Sequence, residues 1–182
     1  MRELEPELDP ATLHEAYADV SAAQDRAATL REQLRAAPDE IAEFVTRGDL
    51  VDVLRCLGDL DEALAEGQSA VDRAVIAGTP AQQHLARVRL ATVRQWRGEF
   101  GESNLAFTEL GHAAGQFGPV VAAFTHDRAG RNAFDQADFA AAHDHFTRAL
   151  ALRQEFELPA EEIASARVAR DAAAKRLQEE SR

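Results

Sequence analysis

Cysteine, methionine, tryptophan and tyrosine occur once each in this chain of 182 residues. A lone cysteine, Cys56, excludes an intramolecular disulfide and a cysteine-clustered zinc site, and fits a reducing, cytoplasmic compartment. No apolar run is long enough to span a bilayer, and Glu3, Glu5, Glu7 and Asp9 follow Met1-Arg2 where a secretory leader would be apolar. Positive charge is scarce as well: 20 Lys and Arg against 32 Asp and Glu leave a net charge of −12, which repels phosphate backbones and anionic lipid. Neither nucleic acid nor a membrane is an expected partner. The chain also has no Gly-x-Ser-x-Gly elbow, no His-Glu-x-x-His pair and no phosphate-binding Gly-x-x-x-x-Gly-Lys loop, so neither an enzyme nor a cofactor is expected. With 46% hydrophobic and 29% charged residues the chain has the composition of a folded protein, and its length suits one module.

What is present is repetition. The turn Gly58-Asp59-Leu60-Asp61-Glu62-Ala63 recurs 40 residues on as Gly98-Glu99-Phe100-Gly101-Glu102-Ser103 and 39 further on as Ala137-Asp138-Phe139-Ala140-Ala141-Ala142. A weaker copy lies 40 residues upstream, at Ala18-Asp19-Val20. Pro38, Pro80, Pro119 and Pro159 form an interleaved period of 42, 39 and 40 residues and read as helix starts, where the missing N–H costs nothing. Thr79-Pro80-Ala81-Gln82 adds a capping box. Ala142, Phe146, Ala149 and Leu150 share one helical face, as do Ser103, Phe107 and Leu110, and no segment alternates with the period of a strand. The expected fold is therefore all-α with essentially no sheet, with turns at Gly58, Gly98 and Ala137. The segments are 1–37, 38–79, 80–118, 119–158 and 159–182, with an N-terminal helix from about Pro10 to Arg35 and a capping helix from Glu161 to about Gln178.

These blocks resemble tetratricopeptide repeats, in the longer-helix form similar to that of kinesin light chains and bacterial sensor-type proteins. The small positions of the second helix match at Ala63, Ser103 and Ala142, the large one at Phe107 and Phe146, and the next small one at Ala70 and Ala149. The resemblance covers residues from about 39 to 179. It implies an α-α superhelix, a right-handed solenoid of antiparallel helix pairs, with about three full repeats plus capping helices. The family's early first-helix aromatic is replaced here by Arg47, Arg87 and His126. A carboxylate clamp of the chaperone-tail type is not implied, because Gly48 and Asp52 stand where it needs Lys and Asn.

Arginine recurs at the repeat period: Arg89, Arg128 and Arg167 are 39 apart, as are Arg131 and Arg170, and Arg55 and Arg94. By the resemblance Arg55, Arg89, Arg128, Arg131, Arg167 and Arg170, with Trp96, Phe124 and Phe134, fall on the concave peptide-binding groove. A row of forked donors would suit an acidic peptide. The competing reading pairs these arginines with the local acids Asp127, Asp135 and Asp171 and makes the aromatics ordinary packing. His143 and His145 sit at i and i+2 and cannot readily share an ion, and His126-Asp127 is an equally poor ligand pair, so the histidines read as surface residues and no metal site is expected. Two functions follow as expectations: a scaffold binding a protein or peptide segment or partner helix, or a signal-peptide-sensing module that controls a partner or transcription factor. Homodimerisation is compatible with either.

Overall fold

The computed structural model describes residues 4–181. Met1–Glu3 and Arg182, which the sequence reading assigns to the acidic lead and the capping end, lie outside the described residues. Among the described residues the fold is all-α apart from one minimal hairpin. Its helices are α1 (Val20–Arg35), α2 (Glu40–Leu57), α3 (Leu60–Ala77), α4 (Pro80–Trp96), α5 (Phe100–Ala113), α6 (Pro119–Asp135), α7 (Phe139–Glu155) and α8 (Ala160–Glu180), with a single 3₁₀ turn at Ala114–Phe117. Two compact units result: Glu15–Glu99 together with the chain leading up to Leu8, and Asp9–His14 together with the chain from Phe100 onward.

Local chemistry accounts for the helix boundaries. Pro80 and Pro119 open α4 and α6, and Thr79 and Gln82 form the expected reciprocal capping box. Asp19, Asp39 and Asp138 cap α1, α2 and α7 by accepting the N–H groups of Ala22, Ala42 and Ala141. At the other ends, Asp59 N–H donates to Leu54 C=O while Gly58 N–H donates to Arg55 C=O, a Schellman pair that recurs at Gly98-Glu99 and Ala137-Asp138. This motif needs a left-handed residue, with φ of +82° at Gly58 and +75° at Gly98, yet at the third turn the residue is Ala137, at +60°. A Cβ there costs about 1–2 kcal/mol, and a glycine loses about 0.5–1 of that to chain entropy. Ala137→Gly is therefore expected to stabilise the second unit by about 0.5–1 kcal/mol in chemical denaturation, whereas Gly58→Ala should destabilise the first by a similar amount.

The N-terminal segment departs from the sequence reading, which continues the first helix back to Pro10 and foresees no sheet. Instead β1 (Glu7–Leu8) pairs antiparallel with β2 (Glu15–Ala16), Glu7 opposite Ala16 and Leu8 opposite Glu15, and the helix starts only at Val20. The Asp9 carboxylate accepts the Ala11 N–H at 2.8 Å and the Thr12 hydroxyl at 3.0 Å, an Asx turn that offers the backbone an alternative to helix. Leu13, in the left-handed region at φ +59°, completes the break.

In the first unit α1, α2, α3 and α4 pack consecutively, as antiparallel neighbours joined by short turns must. Ala27, Leu30, Leu50, Val51, Leu54, Ala63 and Val93 make one core cluster, and Ala70, Ala74 and Ala86, with Phe44 against them, a second. In the second unit α6 packs on α5 and α7, and α7 on α8. There Phe107, Ala142, Phe146, Ala149, Ala166, Ala169 and Ala173 are buried. The small positions do what their spacing requires: Gly130 faces Phe146 so closely that a Cβ would lie 2.6 Å from the ring.

Candidate functional site

The arginines read as groove donors are largely consumed by the protein itself. In the first unit Arg55 is buried, donates to Glu15 at 2.7 Å, lies 3.8 Å from Asp52 and stacks its guanidinium 4.7 Å from the half-buried Trp96 ring. Arg89 donates to the other oxygen of Asp52 at 3.0 Å and lies against Gly48, where a Cβ would meet the guanidinium at 2.9 Å. The two clamp positions noted in the sequence thus hold an arginine rather than await a ligand.

In the second unit Arg131 is buried, donating to Asp127 at 2.8 Å and to the Leu13 carbonyl at 2.6 Å, while Arg153 approaches the other Asp127 oxygen at 3.2 Å. Burial alone would raise the Asp127 pKa, but Arg131, Arg153 and Arg128 outweigh it and hold the carboxyl below its ordinary value. Phe134 is buried edge-on against Phe139, at 5.2 Å between centroids. Arg170 binds Asp171 at 2.6 Å, and His14 lies 3.2 Å from Asp135. The groove reading therefore does not describe Arg55, Arg131 or Phe134, because a guanidinium or ring enclosed by its own chain has no face left for a peptide. Arg128, stacked 5.2 Å from the Phe124 ring, is half-buried, and Arg167 is exposed.

One concavity in each unit bears on function. The first, of about 270 Å³, lies between α2, α3 and the head of α4 and is lined by Ile41, Phe44, Ala70, Ala74, Ile76 and Ala77. Ile41 is 67% exposed and Ile76 78%, and their chain neighbourhoods add exposed Val45 and Val75. At its rim Glu43 accepts from Arg47 at 2.9 Å and lies 3.1 Å from Arg73, and Arg47 also binds Glu66. The charges at this edge neutralise one another, and the apolar floor is what is left open.

The second, of about 400 Å³, lies between α5, α6 and α7, and its lining includes Asn104, His112, His126, Asn132, His145 and Arg148. Across it His126 and His145 bring their Nδ1 atoms to 3.1 Å, with centroids 5.4 Å apart. Burial, the facing His145 and nearby Arg148 push the His126 pKa down to about 4; burial and Arg148 also lower that of His145, against Asp144 and Asp138. An amide ladder closes one side, with Ser103 donating to Asn132 at 2.6 Å and Asn132 to Asn104 at 2.6 Å. Sequence reasoning treats these histidines singly and misses the pair. The signal is the 19-residue step across one helix turn, the step that also joins Arg47 to Glu66 in the first unit. Among the described residues no group of three or more His, Cys, Asp or Glu could hold a metal ion.

No family model matches the chain, and no curated protein matches it in sequence. The chain resembles the crystal structure of BtubC (BKLC) from P. vanneervenii, a helical-repeat protein, with a TM-score of 0.56 and 16% identity over 90% of this chain and 75% of that one. This chain has a helical-repeat fold. Among the described residues no helix is long and apolar enough to cross a membrane.

Proposed function

We propose that the chain is a protein-interaction scaffold built from tetratricopeptide repeats, holding a peptide segment or partner helix without chemical turnover. The repeat assignment is supported by the burial of Ala63, Ser103, Ala142, Phe107 and Phe146, the positions the family frame reserves for close helix packing. The observation that carries the binding reading is the α2–α3 groove, where Ile41 and Ile76 stand in water beside an apolar concavity. Large apolar side chains gathered at a concave surface mark contact sites, and each side chain a partner covers fully is worth about 1.5–3 kcal/mol. Because the rim charges are mutually paired, an amphipathic segment offering apolar anchors at helical spacing fits better than the acidic peptide inferred from the arginine row.

Selection of a displayed random-peptide library against the full chain tests this. Enriched sequences should carry Leu, Ile, Met or Phe at i, i+3 or i+4, and i+7. The double variant Ile41→Asp with Ile76→Asp should bind them at least about tenfold more weakly. Its stability should change by no more than about 0.5 kcal/mol per site, since both side chains are exposed. Enrichment of acidic sequences without that spacing, or unchanged binding by the double variant, refutes the proposal.

A further inference from the structure

The histidine pocket of the second unit is unlike a packing defect, because Arg148 and three imidazoles line it against one carboxylate, Asp138, on a protein of net charge −12. Arg148 on α7 is exposed, borders the pocket and makes no ion pair among the described residues. His112 enters from α5, His126 from α6 and His145 from α7. The acid lining the pocket, Asp138, spends a carboxylate oxygen on the Ala141 N–H as the cap of α7, and the nearest acid in sequence on α6, Asp127, is enclosed by Arg131 and Arg153. Asp144, also on α7, is exposed and influences His145 alone of the pair. A cation entering here would meet Arg148; an anion would be attracted by it.

We infer that this pocket is an oxyanion site, in which Arg148 and the His126–His145 pair together hold a carboxylate or phosphate group and take up one proton from solvent as it binds. The contact at 3.1 Å sets the stoichiometry. In the neutral pair one Nδ1–H donates to the other Nδ1, so the accepting ring carries its hydrogen on Nε2 and the donating ring has a bare Nε2. A single proton added to that bare Nε2 preserves the shared hydrogen bond and leaves an N–H on both outer nitrogens. A second proton would set two Nδ1–H groups against each other and break the contact. Without a ligand, burial and Arg148 keep the pair uncharged at neutral pH. An anion beside Arg148 cancels that repulsion, and the cost of the first proton falls. The reading is independent of the apolar groove and concerns a different class of ligand.

The test is a pH titration, from 4 to 8, of the ring NMR signals of His126 and His145 in the full chain. Chloride is compared with acetate or with inorganic phosphate at constant ionic strength. One titration step of the pair should move upward by about one pH unit or more in the presence of the oxyanion. Its affinity should then fall by up to about tenfold per pH unit between the unshifted and the shifted step and level off above the latter, as one-proton linkage requires. A response to acetate alone assigns a carboxylate ligand, one to phosphate alone a phosphate ligand, and one to both the bare oxyanion. Arg148→Gln should weaken binding at least about tenfold, and His126→Gln should remove the proton uptake while leaving the Arg148 contact. Ring titrations that are the same in all three salts overturn the inference. So does an equal loss in Arg167→Gln, an exposed arginine outside the pocket, because that would be general screening.

Discussion

Replacing Phe146 by alanine is expected to cost the second unit about 3–5 kcal/mol, the range for removing a fully enclosed aromatic. The ring is completely buried and rests on Gly130 of the adjacent helix, so close that no Cβ could stand between them. The backbone is already as near as it can come, and the surroundings cannot collapse into the vacated volume. His143, three residues earlier and half-buried on the same helix, is the control: His143→Ala should stay within about 0.5 kcal/mol. Gly130→Ala should also destabilise, because its new methyl meets the ring. Chemical denaturation of the three variants decides the matter, and equal losses at positions 143 and 146 would place the wrong face of α7 inward.

Asp127→Asn should be comparably damaging at neutral pH, at about 3–5 kcal/mol, because it removes the buried carboxylate that Arg131 and Arg153 share and leaves Arg153 the more exposed Glu162 at 3.5 Å. The ion cluster has a definite pH signature. The Asp127 pKa is lower folded than unfolded, so its contribution is fully present above the unfolded carboxylate range, near pH 4, and is lost as pH falls through the depressed folded value. The half-buried imidazoles of the second unit add a second acid window with the same sense. His126 titrates at about 4 when folded against an ordinary 6.5, so stability declines as pH falls between those values. Denaturation midpoints of the wild type should therefore drop below pH 6.5 and again below pH 4. Asp127→Asn should shrink the second drop, to which Glu62 beside Arg31 also contributes, and leave the first. A loss in Asp127→Asn under about 1 kcal/mol at pH 7 would mean that the two arginines find other partners.

The helices and turns are legible because their determinants are local. A left-handed residue every 39 or 40 positions and a proline between them delimit each helix, and Phe146 with Ala142 and Ala149 declares its buried face. The hairpin at Glu7–Ala16 is not legible in this way, since strands of two residues leave no period and the Asx turn at Asp9 competes invisibly with helix. Arg128 and Arg131 show the limit for the candidate site. They lie one helical turn apart and look equivalent along the chain, but the Leu13 carbonyl, 118 residues from Arg131, buries one and not the other. Only the folded contacts tell which of the two the protein encloses. The apolar groove escapes for the opposite reason: Ile41 and Ile76 obey the helical pattern of hydrophobic residues, and nothing local says that no helix covers them.

The most direct measurement of the central claim is in-cell photo-cross-linking with p-benzoyl-phenylalanine in place of Ile76, compared with the same group in place of Val168, an exposed apolar residue of α8. If the α2–α3 groove is the recognition surface, irradiation should convert a discrete fraction of the position-76 protein to one higher-mass adduct that Ile41→Asp removes, with none from position 168. No adduct at position 76, or an adduct at 168 alone, would contradict it.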